Sequence, residues 1–508
     1  MTITEIHWTS QASFPILASL QFLPLLVVVL MLLVNKHKQP GTILILPLIG
    51  AVIELALAIS LYQHYDIHNT AMQLAEQVSL LQPLQYHAAV DGLGVMFILL
   101  TAFLNLMMVL YSHVIPLEHR RRLLALCQLV TFSLMSLYCT LDLLWFLLIS
   151  TIQLILLGYI LWRWATSPER DLALSRYLQF MGIGLLLLLA GMIMLGWHYS
   201  DVIGHWSFDL LDLIQVPIDH PIQSIIFFLL FYGLAIRIPL FPLHGWLPIV
   251  AEHGMVTMAP VFLLGLKVGA YGLLRFVFPL VPDAVIRWHE FVMAFAVTGV
   301  FYAALLALMQ VNLRRLLAFA VVSHSSIMII GLFSLNHEAF QGSMMLAVNF
   351  GLAITGLLMI SGFIYWRTHT MLITKLGSLI DTLPLFGVTF FIAGLSIIGM
   401  PGTPGFDSVH LVLEASIHRF GALVTVAAAL GNVLAAGFLL LAFQKAFMAP
   451  RQSTSIQKDI NPASLPETLM ALIVIILLLV VGFYSGPWLD LIEPSLEGLS
   501  NLYDHVDY

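Results

Sequence analysis

Residues 224–274 read SIIFFLLFYGLAIRIPLFPLHGWLPIVAEHGMVTMAPVFLLGLKVGAYGLL. An apolar run meets Arg237 and is then interrupted by Pro239, Pro242 and Pro248. A second apolar run follows and carries one lysine, Lys267. Cations and prolines inside membrane spans are costly, and they are tolerated mainly where they face a bundle interior or a water-lined path. The stretch therefore predicts a broken helix and a companion helix that together form half of an ion path.

The rest of the chain fits that reading. Its 508 residues are 60% hydrophobic and 9% charged, whereas soluble domains carry about 25% charged residues. The apolar runs are about 17–25 residues long, the length of membrane helices rather than of barrel strands. The fold class is an all-α polytopic membrane protein. The net charge of −7, with no basic domain, gives nucleic-acid binding no support. Cys127 and Cys139 fall twelve residues apart in one predicted span, about 18 Å along a helix, too far to pair with each other. They fit no metal or haem motif, and no cofactor site is expected in this chain. The first residues, MTITEIHWTSQASF, lack a basic leader, so the first span is expected to be retained.

Hydropathy predicts fourteen spans, two of them broken, at 222–247 and 384–418. Placing the N-terminus outside and alternating gives the inner side Lys36, Lys38, Arg120, Arg121, Arg122, Arg163, Arg170, Arg176, Arg314, Arg315, Arg367, Lys375, Lys445, Arg451 and Lys458. The outer side receives only Arg275, Arg287 and Arg419. This bias supports the span count and puts both termini outside, in the periplasm of a Gram-negative host. The second break, IIGMPGTPGF, holds Pro401, Gly402, Pro404 and Gly405. It lies five spans after the first, and an odd offset inverts the second segment relative to the first. Interrupted helices at matching positions of inverted repeats point to a transport site.

Each ionisable candidate has a bland alternative. Arg237 either fixes a positive charge on the path, or snorkels, or pairs structurally. A guanidinium keeps its proton, so it can bias neighbours but cannot relay. Lys267 lies near mid-membrane, where a desolvated lysine can switch charge state. His244, in FPLHGW, suits a relay or caps the break. His324, flanked by Ser323, Ser325 and Ser326, suits a hydrogen-bonded relay or glues helices together. Asp407, His410 and Glu414 share one helix face, by spacing, and form either a proton exit or a helix end climbing into water. Glu54 is a weaker mid-span candidate, and Glu290 is expected at an interface. Asp91 and Asp142 read as helix-start carboxylates. The connections 63–90 and 198–221 are the longest, and the second is expected to lie along the membrane surface.

RIPLFPLHGWLP followed by GLKVGAYGLLRF resembles the antiporter-like subunits of complex I (NADH:quinone oxidoreductase). AVDGLGVMFILLTAFLNLMMVLYS, LRRLLAFAVVSHSSIMIIGLF and GMPGTPGF extend the likeness over about residues 86–450. The resemblance is also to membrane-bound hydrogenases, sodium/proton antiporters and inorganic-carbon uptake complexes. It implies two inverted five-helix repeats at 123–278 and 288–443, each with a broken helix. Helices 1–3 precede them over 1–122, and a C-terminal helix and outer tail occupy 467–508. It implies proton translocation within a multisubunit complex, beside other membrane subunits and a soluble peripheral partner, in the inner-membrane bilayer. Lys267 and His324 match the family pattern. The family glutamate of the fifth span falls on Thr151, with Gln153 as its nearest polar neighbour. The family lysine of the seventh is Arg237, and a histidine of the eleventh falls at about Phe350, beside Asn349. The ionisable residue of the second broken span is displaced to Asp407, His410 or Glu414. These departures imply that the first half-channel is silent or altered, or that a partner supplies the acid. They keep open a second reading, an ion-gradient-coupled subunit of a carbon-uptake or antiporter complex, or a scaffold.

Overall fold

A computed structural model describes residues 4–34, 42–81, 84–450 and 460–503. Of the basic residues counted above, Lys36, Lys38, Arg451 and Lys458 lie outside them. Helices α1 (Ile16–Leu33) and α2 (Thr42–His64) are followed by strands and then by α3 (Gly92–Val114), α4 (Arg120–Cys139), α5 (Leu143–Arg163) and α6 (Arg170–Ile203). The first broken element is α7 (His220–Ala235), continued after a turn by α8 (Leu247–His253). Next come α9 (Met258–Leu280), α10 (Pro282–Leu308), α11 (Leu313–Leu332) and α12 (His337–Thr368). The second break separates α13 (Pro384–Ile398) from α14 (Pro404–Phe443), and α15 (Leu465–Phe483) and α16 (Gly486–Ser500) close the chain.

Twelve of the described helices are long and apolar enough to cross a membrane. The two expected spans missing from that number are the broken ones, because a break leaves the shorter helices α7 and α13. The long run of α14 passes Gly421, whose φ of 73° no helix contains, so it is two helices end to end. α9, α11 and α12 are almost wholly buried and form the centre, while α1, α2 and α6 are peripheral.

Helix starts follow local chemistry. Asp91 accepts from Gly94 N at 2.9 Å and Asp142 from Trp145 N at 2.7 Å, each satisfying an orphan donor. Asp91 does more than cap. Its Oδ1 also takes a 2.6 Å ion pair from Arg275, which joins α3 to α9. At the other end of the bundle Arg314 reaches Thr166 Oγ1 (2.7 Å) and Gly254 O (2.6 Å), and Arg367 grips Glu467 at 2.8 and 2.7 Å.

The outer connections hold structure that apolar periodicity does not announce. β1 (Glu5–His7), β2 (Met72–Leu81) and β3 (Leu84–Val90) form a sheet, with β1 parallel and β3 antiparallel to β2. Glu76 points inward from β2 and accepts from Leu17 N and Ala18 N, both at 2.9 Å, so that it caps α1 from a distance. The 198–221 connection packs onto the start of α5: Leu143 N donates to Phe208 O (2.9 Å) and Leu210 N to Leu141 O (3.0 Å). The amphipathic α16 lies over the start of α3. A Cβ on Gly92 would fall 1.8 Å from Leu491 O, so only glycine allows that contact.

Candidate functional site

The first break strands backbone carbonyls at the end of α7. One of them, Ile236 O, accepts from Trp246 Nε1 at 3.2 Å, so the break carries its own cap. Arg237 follows immediately. Its Nη1 donates to Ser150 Oγ at 2.7 Å and its Nη2 to Gln153 Oε1, both on α5. Among the described residues it has no carboxylate in salt-bridge range. Thr151 is on the exposed side of α5, and its hydroxyl bonds to Leu147 O at 2.9 Å. The buried polar neighbours of the cation are therefore Ser150 and Gln153 rather than Thr151. A crevice of about 20 Å³ lies beside the guanidinium, lined by α5, α6, α7 and α9, room for about one water.

Lys267 occupies a pause in α9, where regular helix ends at Leu264 and resumes at Val268. The segment lies close to the first break, since a Cβ on Gly269 would sit 2.6 Å from Leu234 O. Lys267 is 4% exposed. Its Nζ donates to Ser325 Oγ at 3.1 Å and stands 4.3 Å from the centroid of the Phe350 ring. A desolvated ammonium over an aromatic face gains about 2 kcal/mol, which partly offsets the missing carboxylate. His324 is also buried, with its ring centroid 5.9 Å from that of Phe350, and neither ring nitrogen has a hydrogen-bond partner among the described residues. Lys267, Ser325, His324 and Phe350 thus form one cluster. The other two serines turn away: Ser323 bonds to Val300 O and Ser326 to Val322 O.

His244 is in an aromatic box, with ring centroids 5.8 Å from Phe241, 5.2 Å from Tyr302 and 6.4 Å from Phe319. Its Nδ1 lacks a hydrogen-bond partner among the described residues. Phe319 precedes His324 by five residues on α11, about 7.5 Å along the axis, so one helix links the two histidines.

The second break is closed by amides. Asn349 Nδ2 donates to Ser396 O at 3.0 Å, Asn349 Oδ1 accepts from Ser396 Oγ at 2.5 Å, and Asn432 donates to Ile398 O. Asn349 adjoins Phe350, so the lysine cluster touches the second break through one turn of α12. The half-helices cross closely there; a Cβ on Gly405 would lie 1.9 Å from Ser396 O. Asp407 accepts from Ser485 and is half-buried. His410 and Glu414 are exposed, 70% and 48% at the side chain, and face each other at 3.5 Å. The structure brings Lys267 and His324 together, and sets His410 and Glu414 on the outside of the bundle.

Two further polar clusters complete the molecule. In the N-terminal helices the fully buried Glu54 accepts from Asn105 Nδ2 (2.9 Å), whose Oδ1 accepts from Gln128 (3.3 Å). Outside the spans, His87 lies between Asp209 (2.5 Å) and Glu5 (2.9 Å). Burial lowers the affinity of this imidazole for its proton, but the bond to Asp209 and the charges of Asp209 and Glu5 outweigh burial and hold its pKa above the usual value. Burial, with some help from Asp209, pushes the Asp142 carboxyl up to about 7. At the arginine-rich end, a cavity of about 360 Å³ is lined by Tyr111, Glu118, Arg163, Trp164, Met255 and Thr257, among others.

A polytopic helical bundle, with two interrupted helices flanking a buried lysine that has no counter-ion among the described residues, has the construction of an antiporter-like ion-translocating subunit. The chain belongs to the NADH:quinone oxidoreductase/Mrp antiporter transmembrane family, whose model it matches over residues 140–435. It is 28% identical to NADH-quinone oxidoreductase subunit M of Rickettsia prowazekii, a match covering 96% of this chain and 98% of that one. Its structure is similar to a chain of respiratory complex I from Thermus thermophilus with bound NADH, with a TM-score of 0.86, 26% identity, and coverage of 96% and 99%. A chain of the Mrp complex from Dietzia shares the fold at a TM-score of 0.84 and 18% identity, covering 97% and 98%.

Proposed function

We propose that this chain is the proton-translocating, antiporter-like membrane subunit of a complex I-type respiratory assembly. Redox chemistry belongs to other subunits, and this chain holds no cofactor of its own. Family membership and the near end-to-end match to subunit M relatives support that reading. The observation that carries the mechanism is the Lys267 cluster. A buried ammonium held by a hydroxyl and an aromatic face, and by no carboxylate, can give up and regain its proton without breaking an ion pair. His324 is its neighbour and proton partner, and His244 extends the relay along α11. Arg237 keeps its charge and biases Lys267 electrostatically. Asp407, with His410 and Glu414 beyond it, forms the outer exit. Neighbouring membrane subunits, a soluble peripheral partner and the inner-membrane bilayer complete the setting, with both termini on the outer side.

In the assembled complex reconstituted into vesicles, Lys267→Ala abolishes proton movement. Unchanged pumping would sink the assignment. A second reading, an ion-gradient-coupled subunit of an inorganic-carbon uptake or cation/proton antiporter complex, draws on the neutral Ser150 and Gln153 around Arg237. Flavin and iron–sulfur subunits in the purified complex favour the first reading, and a zinc-containing soluble partner favours the second.

A further inference from the structure

Arg237 is a permanent cation without a counter-ion among the described residues. It makes two hydrogen bonds, both to neutral groups, although a guanidinium has five N–H donors arranged to match a carboxylate. Its depth is set by its partner. Gln153 lies ten residues from each end of the 21-residue α5, about 15 Å from either end at helical rise. A lipid headgroup does not reach that depth, and an unpaired charge there is expensive. Arg237 is nonetheless half-buried rather than buried, and it lines the crevice. The crevice beside it has half-exposed Leu154 and Leu185 at its rim, on α5 and α6. That face is peripheral and apolar: Leu148, Ile152, Ile155, Ile183 and Leu186 are exposed.

We propose that the α5–α6 face docks a helix of a neighbouring membrane subunit, and that a carboxylate on that helix sits at the mouth of the crevice and pairs with Arg237. This rests on the reading of the chain as one subunit of a larger membrane assembly. Charge complementarity selects the occupant. An apolar helix or a lipid tail covers the leucines equally well, but only an acid at mid-depth compensates the cation. Docking then also completes a charged pair inside the bundle, so the neighbour reaches the first half-channel electrostatically. Thr151 faces the incoming helix.

The test uses the intact membrane complex. A photoreactive phenylalanine analogue at position 151 is expected to crosslink to one membrane helix of a neighbour, with Asp or Glu within one helical turn of the labelled residue. Labelling of lipid alone, or of a helix with no acid there, overturns the proposal. Gln153→Glu supplies the counter-charge from within and repels the incoming acid. Retention of the neighbour through detergent purification should fall at least about tenfold, as for loss of a buried charge pair, while Arg237→Lys retains it. Undiminished retention in Gln153→Glu overturns the proposal. If no membrane subunit copurifies with the unaltered chain, the multisubunit reading itself fails, which the crosslinking result alone would not show.

Discussion

Replacing Lys267 by methionine separates the cost of this residue from its use. Methionine keeps the length and most of the volume of lysine, so the cavity that Lys267→Ala leaves is avoided. In the structure Nζ gains one hydrogen bond to Ser325 and one aromatic face, Phe350. A hydrogen bond to a charged group contributes about 1.5–3 kcal/mol and the ring about 2 kcal/mol. Against roughly 4 kcal/mol of compensation stands a desolvation penalty of several kcal/mol for a buried ion. Replacing buried charge by an apolar group of similar volume is often neutral or stabilising by about 1–4 kcal/mol. The expected outcome is a complex that assembles, resists heat in detergent as well as the parent or a few degrees better, and moves no protons. A positioned proton-transfer group contributes about 10²–10⁴-fold, so the loss should reach background. Vesicle acidification read beside NADH-driven quinone reduction, with thermostability by size-exclusion, checks both halves. Two results refute the reasoning: full pumping by Lys267→Met, or a large loss of thermostability that Lys267→Arg restores. The second would make the lysine structural.

A switchable acid–lysine pair can be rebuilt at the first break. Gln153→Glu with Arg237→Lys should raise or retune proton flux, whereas Thr151→Glu with Arg237→Lys should not, because position 151 faces away from the cation; vesicle flux assays compare them. Asp91→Asn strands Arg275 and should destabilise the subunit by about 3–5 kcal/mol, seen as poor assembly, with the double replacement Asp91→Asn and Arg275→Met recovering most of the loss. The His87 clasp should depend on pH. Its pKa is raised in the folded chain, so its contribution is fully present below the unfolded histidine value of about 6.5 and is lost as pH rises through the folded value. Hydrogen exchange in 84–90 and 205–213, corrected for intrinsic rates, should quicken as pH rises above about 6.5, and His87→Gln should remove that dependence.

Much of this architecture is legible because membrane helices announce themselves by length and apolarity, and proline and glycine mark the two breaks. Lys267 and His324 stand out for the same reason, as polar groups in apolar spans. What hydropathy cannot say is which way a side chain turns. Thr151 and Gln153 are two residues apart and therefore on nearly opposite faces of α5. The family resemblance singles out Thr151, with Gln153 as its nearest polar neighbour, but only packing shows that Gln153 meets Arg237. His410 and Glu414 share a face as expected, and it is the outward one. The sheet escaped notice because β2 places Glu76 inward, where its carboxylate serves the α1 amides, so alternation of apolar and polar residues fails. Apolar runs do not show α16 because Asp490, Glu493, Ser495 and Glu497 interrupt it, and its partner is the start of α3 about four hundred residues away.

The two ends of the bundle differ in a way that bears on voltage. At the sheet end, Leu491 is pressed onto Gly92 and the Arg275–Asp91 pair is sealed beneath. At the arginine-rich end the 360 Å³ cavity reaches Thr257. Water in such a vestibule carries the potential of its own compartment inward. Lys267 is only ten residues further along, about 15 Å at most. The electric field across the membrane is then concentrated between that vestibule and the closed end. In the proposed relay, a proton leaving Lys267 toward the sheet crosses most of the remaining drop, worth about 2.3 kcal/mol per 100 mV for the full span, while one arriving from the vestibule crosses little. That relay would therefore divide electrical work unevenly between loading the lysine and unloading it.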